Sequence, residues 1–282
     1  WQYNYPTQYR DRYGYNNGPR SSPVIDSGRV YTYGAEGKLH CLNLKTGKVI
    51  WKRNLLQEFN LSQDFFGIAS TPLIEGKALI VVIGAPNGPT VGAFDKFTGE
   101  LIWGTEDQWG ASYASPIPAT VNGKRRIFVF AGGESRPPTG GLLSINPTNG
   151  AIDFRFPWRS QSYESVNASC PVIIGDQVFI SASYKTGAAL INTSLKNSPS
   201  RLAWTASHFG LHWNTPIHKT GYLYGFDGRN PAAPSYTANA ITATNTMGYD
   251  CSSASTSGSV AWKRAINAVS NPDEIDINML VT

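Results

Sequence analysis

Apolar and polar positions alternate along this chain in short runs separated by glycine-bearing polar turns, the period-two pattern of strands with one buried face. The clearest stretches, LNLKTGKVIWK at 42–52 and GAFDKFTGELIWG at 92–104, each predict a β-hairpin: a strand, a tight turn ending in Gly47 or Gly99, and a second strand ending in tryptophan. The glycine stands where the turn needs a positive φ, which a residue with a Cβ adopts only at a cost, so it fixes the register of the two strands. LLSINPTNGAIDF at 142–154 keeps this glycine as Gly150 and puts Phe154 in the tryptophan's place, while a fourth copy ending in LAW at 202–204 has no turn glycine. Trp51, Trp103, Phe154, Trp204 and Trp262 thus recur about every fifty residues, a period that predicts repeated units stacked on one another.

A second landmark precedes these hairpins. Ser22, Thr71, Ser115, Cys170 and Thr215 each stand directly before a proline (Pro23, Pro72, Pro116, Pro171, Pro216), followed by apolar residues, a glycine-containing turn and another apolar run. Proline has no N–H to give and is tolerated where a strand begins, so the landmark marks the start of an inner pair of strands. Two strands from each landmark and two from each tryptophan hairpin make a four-stranded antiparallel sheet. The expected fold is therefore all-β, a β-propeller of four-stranded antiparallel blades with about five recognisable repeats in residues 1–230. A β-sandwich also shows short alternating strands, but gives no reason for paired landmarks to return in one order.

Composition narrows the picture further. Charged residues make up only 15% of the 282, well below the roughly 25% of ordinary globular chains. The net charge of +5 is modest, and basic residues such as Lys124, Arg125 and Arg126 are expected to be scattered through turns, which argues against nucleic-acid binding. No apolar run approaches the roughly eighteen residues of a membrane span. Trp1 stands where an initiator methionine would, so an upstream segment is expected, and with it export to a periplasmic or secreted location. Of the three cysteines, Cys41 and Cys170 are read as packing residues, and no CxxC pair exists to hold zinc or haem.

The hairpin form LNLKTGKVIWK and AFDKFTGELIW resembles the repeat of the pyrroloquinoline-quinone (PQQ) propeller superfamily. GAEGKLHCLNLKTGKVIW, WGASYASPIPAT and HWNTPIHKTGYLYGFDGRN are further similar to secreted PQQ-like propellers of planctomycete-type bacteria. The resemblance covers about residues 1–230. It implies a ring of about eight blades, of which this chain would be an incomplete arc unless it closes with fewer. The superfamily includes quinoprotein dehydrogenases as well as inert scaffolds such as the outer-membrane assembly lipoprotein, so it is specific for fold and weak for function.

Propeller ligands bind in a funnel at one face, and the residues just before each landmark proline are the ones placed to line it. They are Tyr113, Glu164, Asn167, His212, Trp213 and Asn214, joined from two longer loops by Glu134 with Ser135 and Arg136, and by Arg159 with Tyr163. Each has a bland reading beside the functional one. Asn167 and Asn214 could simply satisfy backbone groups where blades meet; Glu134 and Arg136 could be a solvated loop pair; His212 could be structural, or could titrate beside a tryptophan able to cover a flat ligand or sugar ring.

The dehydrogenase reading implies PQQ held between a tryptophan floor and a ring made by two adjacent cysteines, with Ca²⁺ on Glu and Asn and an Asp as base. Glu164, Asn167 and Asn214 have the oxygen atoms for such a cation and Asp227 could be the base, but no adjacent cysteine pair occurs. PQQ is not carried across, no metal ligand or catalytic residue is assigned, and a scaffold or binding propeller is preferred over an enzyme. Its partner would be a small molecule, a carbohydrate or a protein.

Residues 231–282 change character to small polar residues, with VAWKR at 260–264 as the end of a degenerate hairpin. AINAVSNPDEIDINMLVT at 265–282 is similar to a segment of contractile phage tail sheath proteins, which would make the C-terminal segment an assembly element.

Overall fold

The computed structural model describes residues 1–14, 17–61, 66–133, 138–163, 165–194 and 201–228. All of them fall in one compact unit, Trp1–Arg229. Expectations for residues 231–282, including Trp262, Cys251 and the sheath-like tail, lie outside the described residues.

Strands β1 (Val24–Asp26), β2 (Arg29–Tyr33), β3 (Lys38–Asn43) and β4 (Val49–Asn54) form the first sheet as an antiparallel meander, closed by a single-turn helix α1 (Leu55–Glu58). The same order repeats in β5 (Leu73–Glu75), β6 (Ala78–Val82), β7 (Val91–Asp95) and β8 (Leu101–Gly104). It repeats again in β9 (Ile117–Val121), β10 (Lys124–Ala131), β11 (Gly141–Ile145) and β12 (Ile152–Pro157), and in β13 (Val172–Ile174), β14 (Gln177–Ala182), β15 (Gly187–Asn192) and β16 (Leu202–Ala206). A two-stranded sheet of β17 (Ile217–Lys219) and β18 (Tyr222–Tyr224) begins the fifth unit. These are propeller blades. Every first strand starts at the residue after a landmark proline, as expected from proline's missing donor. Lys124, Arg125 and Arg126 are a correction: they begin strand β10, where Arg125 pairs with Glu75 of the neighbouring blade and Arg126 with Asp153.

The core lies between blades rather than within them, because a strand buried on both faces gives alternate residues to two neighbours. Along β6, Leu79 and Val81 pack with Tyr31, Tyr33, Leu39 and Trp51 of the first blade. Ile80 and Val82 turn the other way, onto Trp103, Ile127, Val129 and Leu143 at the second interface. Phe128, Phe130 and Leu142 continue the series against Val178, Ile180 and Ile191 of the fourth blade.

The tryptophan rhythm has its cause in these interfaces. The Trp51 indole N–H donates to the Lys96 carbonyl at 3.0 Å, and its ring lies over Gly99 so closely that a Cβ there would sit 2.7 Å from the ring. Trp103 repeats this on the next blade, donating to the Pro147 carbonyl at 3.0 Å and covering Gly150. Trp1 occupies the same place on the first blade, donating to the Leu44 carbonyl at 2.8 Å over Gly47. The turn glycine thus meets two demands, a positive φ and a flat surface for the preceding indole. Asn43, Asp95 and Asn146 hold the turns by accepting backbone N–H groups two residues on. Toward the fourth blade, Phe154 of β12 takes the guanidinium of Arg201 over its ring at 4.2 Å.

The landmark residues also act between blades. The Ser22 N–H donates to Thr71 Oγ1 (3.1 Å), the Thr71 N–H to Ser115 Oγ (2.9 Å), the Ser115 N–H to Cys170 Sγ (3.2 Å) and the Cys170 N–H to Thr215 Oγ1 (3.0 Å). A relay of four hydrogen bonds therefore joins all five units, and the requirement for Ser, Thr or Cys is a requirement for a short side chain with an accepting atom. Cys41 is buried packing, as read from sequence, with burial pushing its thiol up to about 11. Cys170 is more than packing, since its sulfur is the third acceptor of the relay.

The aromatic N-terminal segment caps the first blade. Tyr3 and Tyr5 lie on the ring of His40 in β3, with centroids at 5.3 and 4.5 Å, and Lys38 Nζ donates to the Pro6 carbonyl at 2.5 Å. Tyr9 of the same segment is buried.

Candidate functional site

The relay fixes the segments just before each landmark proline, and two rows of side chains follow from it. Three positions before the relay residue stand Ser112, Asn167 and His212, all buried, at 5%, 1% and 6% exposure. Two positions before stand Tyr113 and Trp213, whose rings meet at 5.4 Å although their blades are not sequential. Phe66 completes the group, 5.6 Å from each, and its backbone N–H donates to the Tyr113 hydroxyl at 3.1 Å. Tyr13 packs on Phe66 at 5.7 Å and Arg20 lies over the same ring at 5.5 Å. Trp213 remains 48% exposed, so this aromatic cluster presents an open indole to solvent.

His212 sits behind that indole, with ring centroids 4.7 Å apart, and its Nε2 lies 2.8 Å from the Tyr184 hydroxyl. The ring is thereby fixed in orientation, as a support for Trp213. Asn214 takes its bland reading: its amide brackets the backbone of Phe226, donating to the carbonyl at 2.8 Å and accepting the N–H at 3.1 Å. Arg159 is a brace. Nη2 donates to the carbonyls of Gly133 (3.0 Å) and Ser165 (2.6 Å), and Nη1 to the Ser165 hydroxyl, tying the segment after β10 to the segment after the third blade's outer strand, β12. Tyr163 stands largely in solvent. Glu134, Ser135, Arg136 and Glu164 lie outside the described residues.

A cavity of about 500 Å³ opens beside Tyr113, walled by Gly84, Ala111, Ser112, Gly133, Arg159 and Asn167. Asn167 Nδ2 donates to the carbonyls of Ala131 (2.9 Å) and Trp158 (3.1 Å), which makes this side chain a pin between strand ends on one side. The structure therefore joins Tyr113 to Trp213 and His212, sets Arg159 and Asn167 around an adjoining cavity, and leaves Asn214 in a backbone role. Phe66, Ser112 and Tyr184 were not singled out from sequence. Ser112 had a signal, its place three before a relay residue like Asn167 and His212; Phe66 and Tyr184 had none.

A family profile for outer membrane protein assembly factor BamB matches residues 1–264. The chain belongs to that family. The outer membrane protein assembly factor BamB of Aliivibrio fischeri is 46% identical over 44 residues, 16% of this chain and 11% of the relative. Among solved structures, BamB from Moraxella catarrhalis is 18% identical with a TM-score of 0.48, covering 74% of this chain and 55% of that one. Quinohemoprotein alcohol dehydrogenase from Comamonas testosteroni is 15% identical with a TM-score of 0.47, covering 72% and 37%. The chain thus spans about half the length of the solved BamB and a small part of the curated one. The match bears on the PQQ-like propeller resemblance; residues 265–282 lie beyond it.

The described residues do not assemble the donor set expected for calcium and PQQ, and Glu164 lies outside them. Both amide atoms of Asn214 are engaged with Phe226, Asp227 Oδ1 accepts the Gly210 N–H at 2.6 Å, and no group of three His, Cys, Asp or Glu side chains placed to hold a metal occurs among the described residues. The cysteine pair that would clamp the quinone is missing from the sequence. The family and the curated relative carry the name of an assembly factor rather than of an enzyme.

Proposed function

We propose that this chain is a binding or scaffold propeller, not a catalyst, that works from the periplasm in the outer-membrane setting its family's name points to and engages its partner through the Phe66–Tyr113–Trp213 face. The observation that carries the reading is the half-exposed indole of Trp213, held by ring contacts from two other blades and backed by His212. A rigid aromatic anchored by packing yet open to solvent has the character of an interface hot spot, where area is gained with little loss of side-chain freedom. The family's description favours an outer-membrane polypeptide as that partner.

Surface-immobilised protein titrated with an unfolded outer-membrane β-barrel polypeptide tests this. Binding is expected, and Trp213→Ala is expected to weaken it about tenfold or more. Equal binding by the variant would remove the aromatic face from the reading. Dye-linked alcohol oxidation after addition of PQQ and Ca²⁺ would overturn the reading altogether.

A further inference from the structure

Strands β4, β8, β12 and β16 each end their sheet, so each has one edge without a neighbouring strand among the described residues. Such an edge is a row of unpaired N–H and C=O groups, and natural sheets blunt it with charges, prolines or bulges. All four strands share a bulge. Beyond that they differ. Along β12 the exposed Asp153 and Arg155 guard the edge, which ends on Pro157, and β4 carries Lys52 and Arg53 and runs into α1. In β8, whose sequence is LIWG, there is neither charge nor proline, and Leu101 and Ile102 are 42% and 50% exposed.

The surroundings of β8 say what would pair with it. Glu100 stands directly before the strand and Glu106 two residues after it, both exposed and about 20 Å apart along an extended chain. Neither has an ion pair among the described residues, because the cations beside them are taken, Arg53 by Glu58 and Arg155 by Asp107. Two carboxylates thus bracket an apolar edge. Next to it opens a groove of about 650 Å³ whose wall includes Pro89, Leu101, Gly104 and Trp109, with room for the side chains that an added strand turns to one face at every second residue. We propose that β8 is a strand-addition site, which takes an extended segment of a partner polypeptide with an apolar centre and a lysine or arginine at each end.

A polypeptide backbone offers N–H and C=O groups at the spacing of this edge, which selects a strand over a small molecule. The bracketing carboxylates select basic ends. Strand β16 is uncharged as well, but Arg201 stands at its head where β8 has Glu100, so a basic segment is directed to β8. The site goes beyond the partner-binding reading, since no residue of β8 belongs to the Phe66–Tyr113–Trp213 face.

Calorimetry and amide hydrogen exchange on the intact chain with the end-blocked peptide Lys-Val-Thr-Val-Thr-Val-Lys test the proposal. Controls are the same peptide with glutamate at both ends and the same peptide methylated at every amide nitrogen. The basic peptide is expected to bind and to slow exchange across Leu101–Gly104 but not across Val49–Asn54, the acidic one to bind about tenfold more weakly, and the methylated one not to bind. Ile102→Lys, at a half-exposed position, is expected to keep the unfolding temperature and to weaken the basic peptide about tenfold. Glu100→Gln with Glu106→Gln is expected to weaken it about threefold. Failure of the basic peptide to bind, equal binding by either control, equal affinity in either variant, or protection elsewhere than in β8 would each overturn the proposal. Trp213→Ala is expected to leave peptide affinity unchanged; a loss there would move the peptide to the aromatic face, overturning the β8 site while the earlier reading stands.

Discussion

The second and fifth units share a sequence pattern and differ in what surrounds them. Every residue of β6 is buried, its alternate side chains divided between the first and third blades, whereas in β17 and β18 Ile217, Tyr222 and Tyr224 are exposed. Alternation predicts a strand in both cases and burial in neither. A blade becomes interior only when another blade lies on each of its faces, so stability here is a property of interfaces, as in stacked-repeat proteins generally.

The sharpest way to break the comparison is to remove equivalent indoles. Trp103→Ala deletes a buried ring that bonds Pro147 and covers Gly150, and is expected to cost about 3–5 kcal/mol in urea unfolding. Trp204→Ala removes the corresponding residue where it is 40% exposed, and less than half that loss is expected. Equal losses would mean that blades are stabilised from within.

Acidification tests the capped first blade. Burial, helped by Lys52 and Lys38, holds His40 down to about 4, against an ordinary 6.5. Below pH 6.5 the unfolded chain takes up a proton that the folded chain refuses until about pH 4, so stability should fall through that window and be insensitive to this group above it. Unfolding midpoints measured from pH 7 to pH 4 should show the decline, and His40→Phe should flatten it.

Smaller effects sharpen the role of the relay. Ser115→Ala leaves the Thr71 N–H without its acceptor and is expected to cost about 1 kcal/mol, while Cys170→Ser, which keeps an acceptor for Ser115, should change stability by less. The smallest effect is expected from Arg125→Ala, because its pair with Glu75 joins two blades at an exposed position worth about 0.2–1 kcal/mol.

Much of the fold was legible because its determinants are local. Gly47, Gly99 and Gly150 announce turns through backbone geometry, and Pro23, Pro72 and the rest announce strand starts through a missing donor. The purpose of the residue before each proline was not legible, since its partner lies 44 to 55 positions away on another blade. The candidate site divides in the same way. Tyr113, His212 and Trp213 were found from their place before a proline, but nothing in the chain shows that Asn214 turns to Phe226 or that Arg159 turns to Gly133 and Ser165. Side chains with several donors find whichever backbone group the assembled blades leave open, and that is decided only after assembly.

The amides of the relay all point the same way around the arc, and this makes each unit a tile with one donating and one accepting margin. Any tile can follow any other without new chemistry, whereas an inverted one would set donor against donor. Tandem duplication of a gene segment about fifty codons long is then the cheapest way for such a protein to grow.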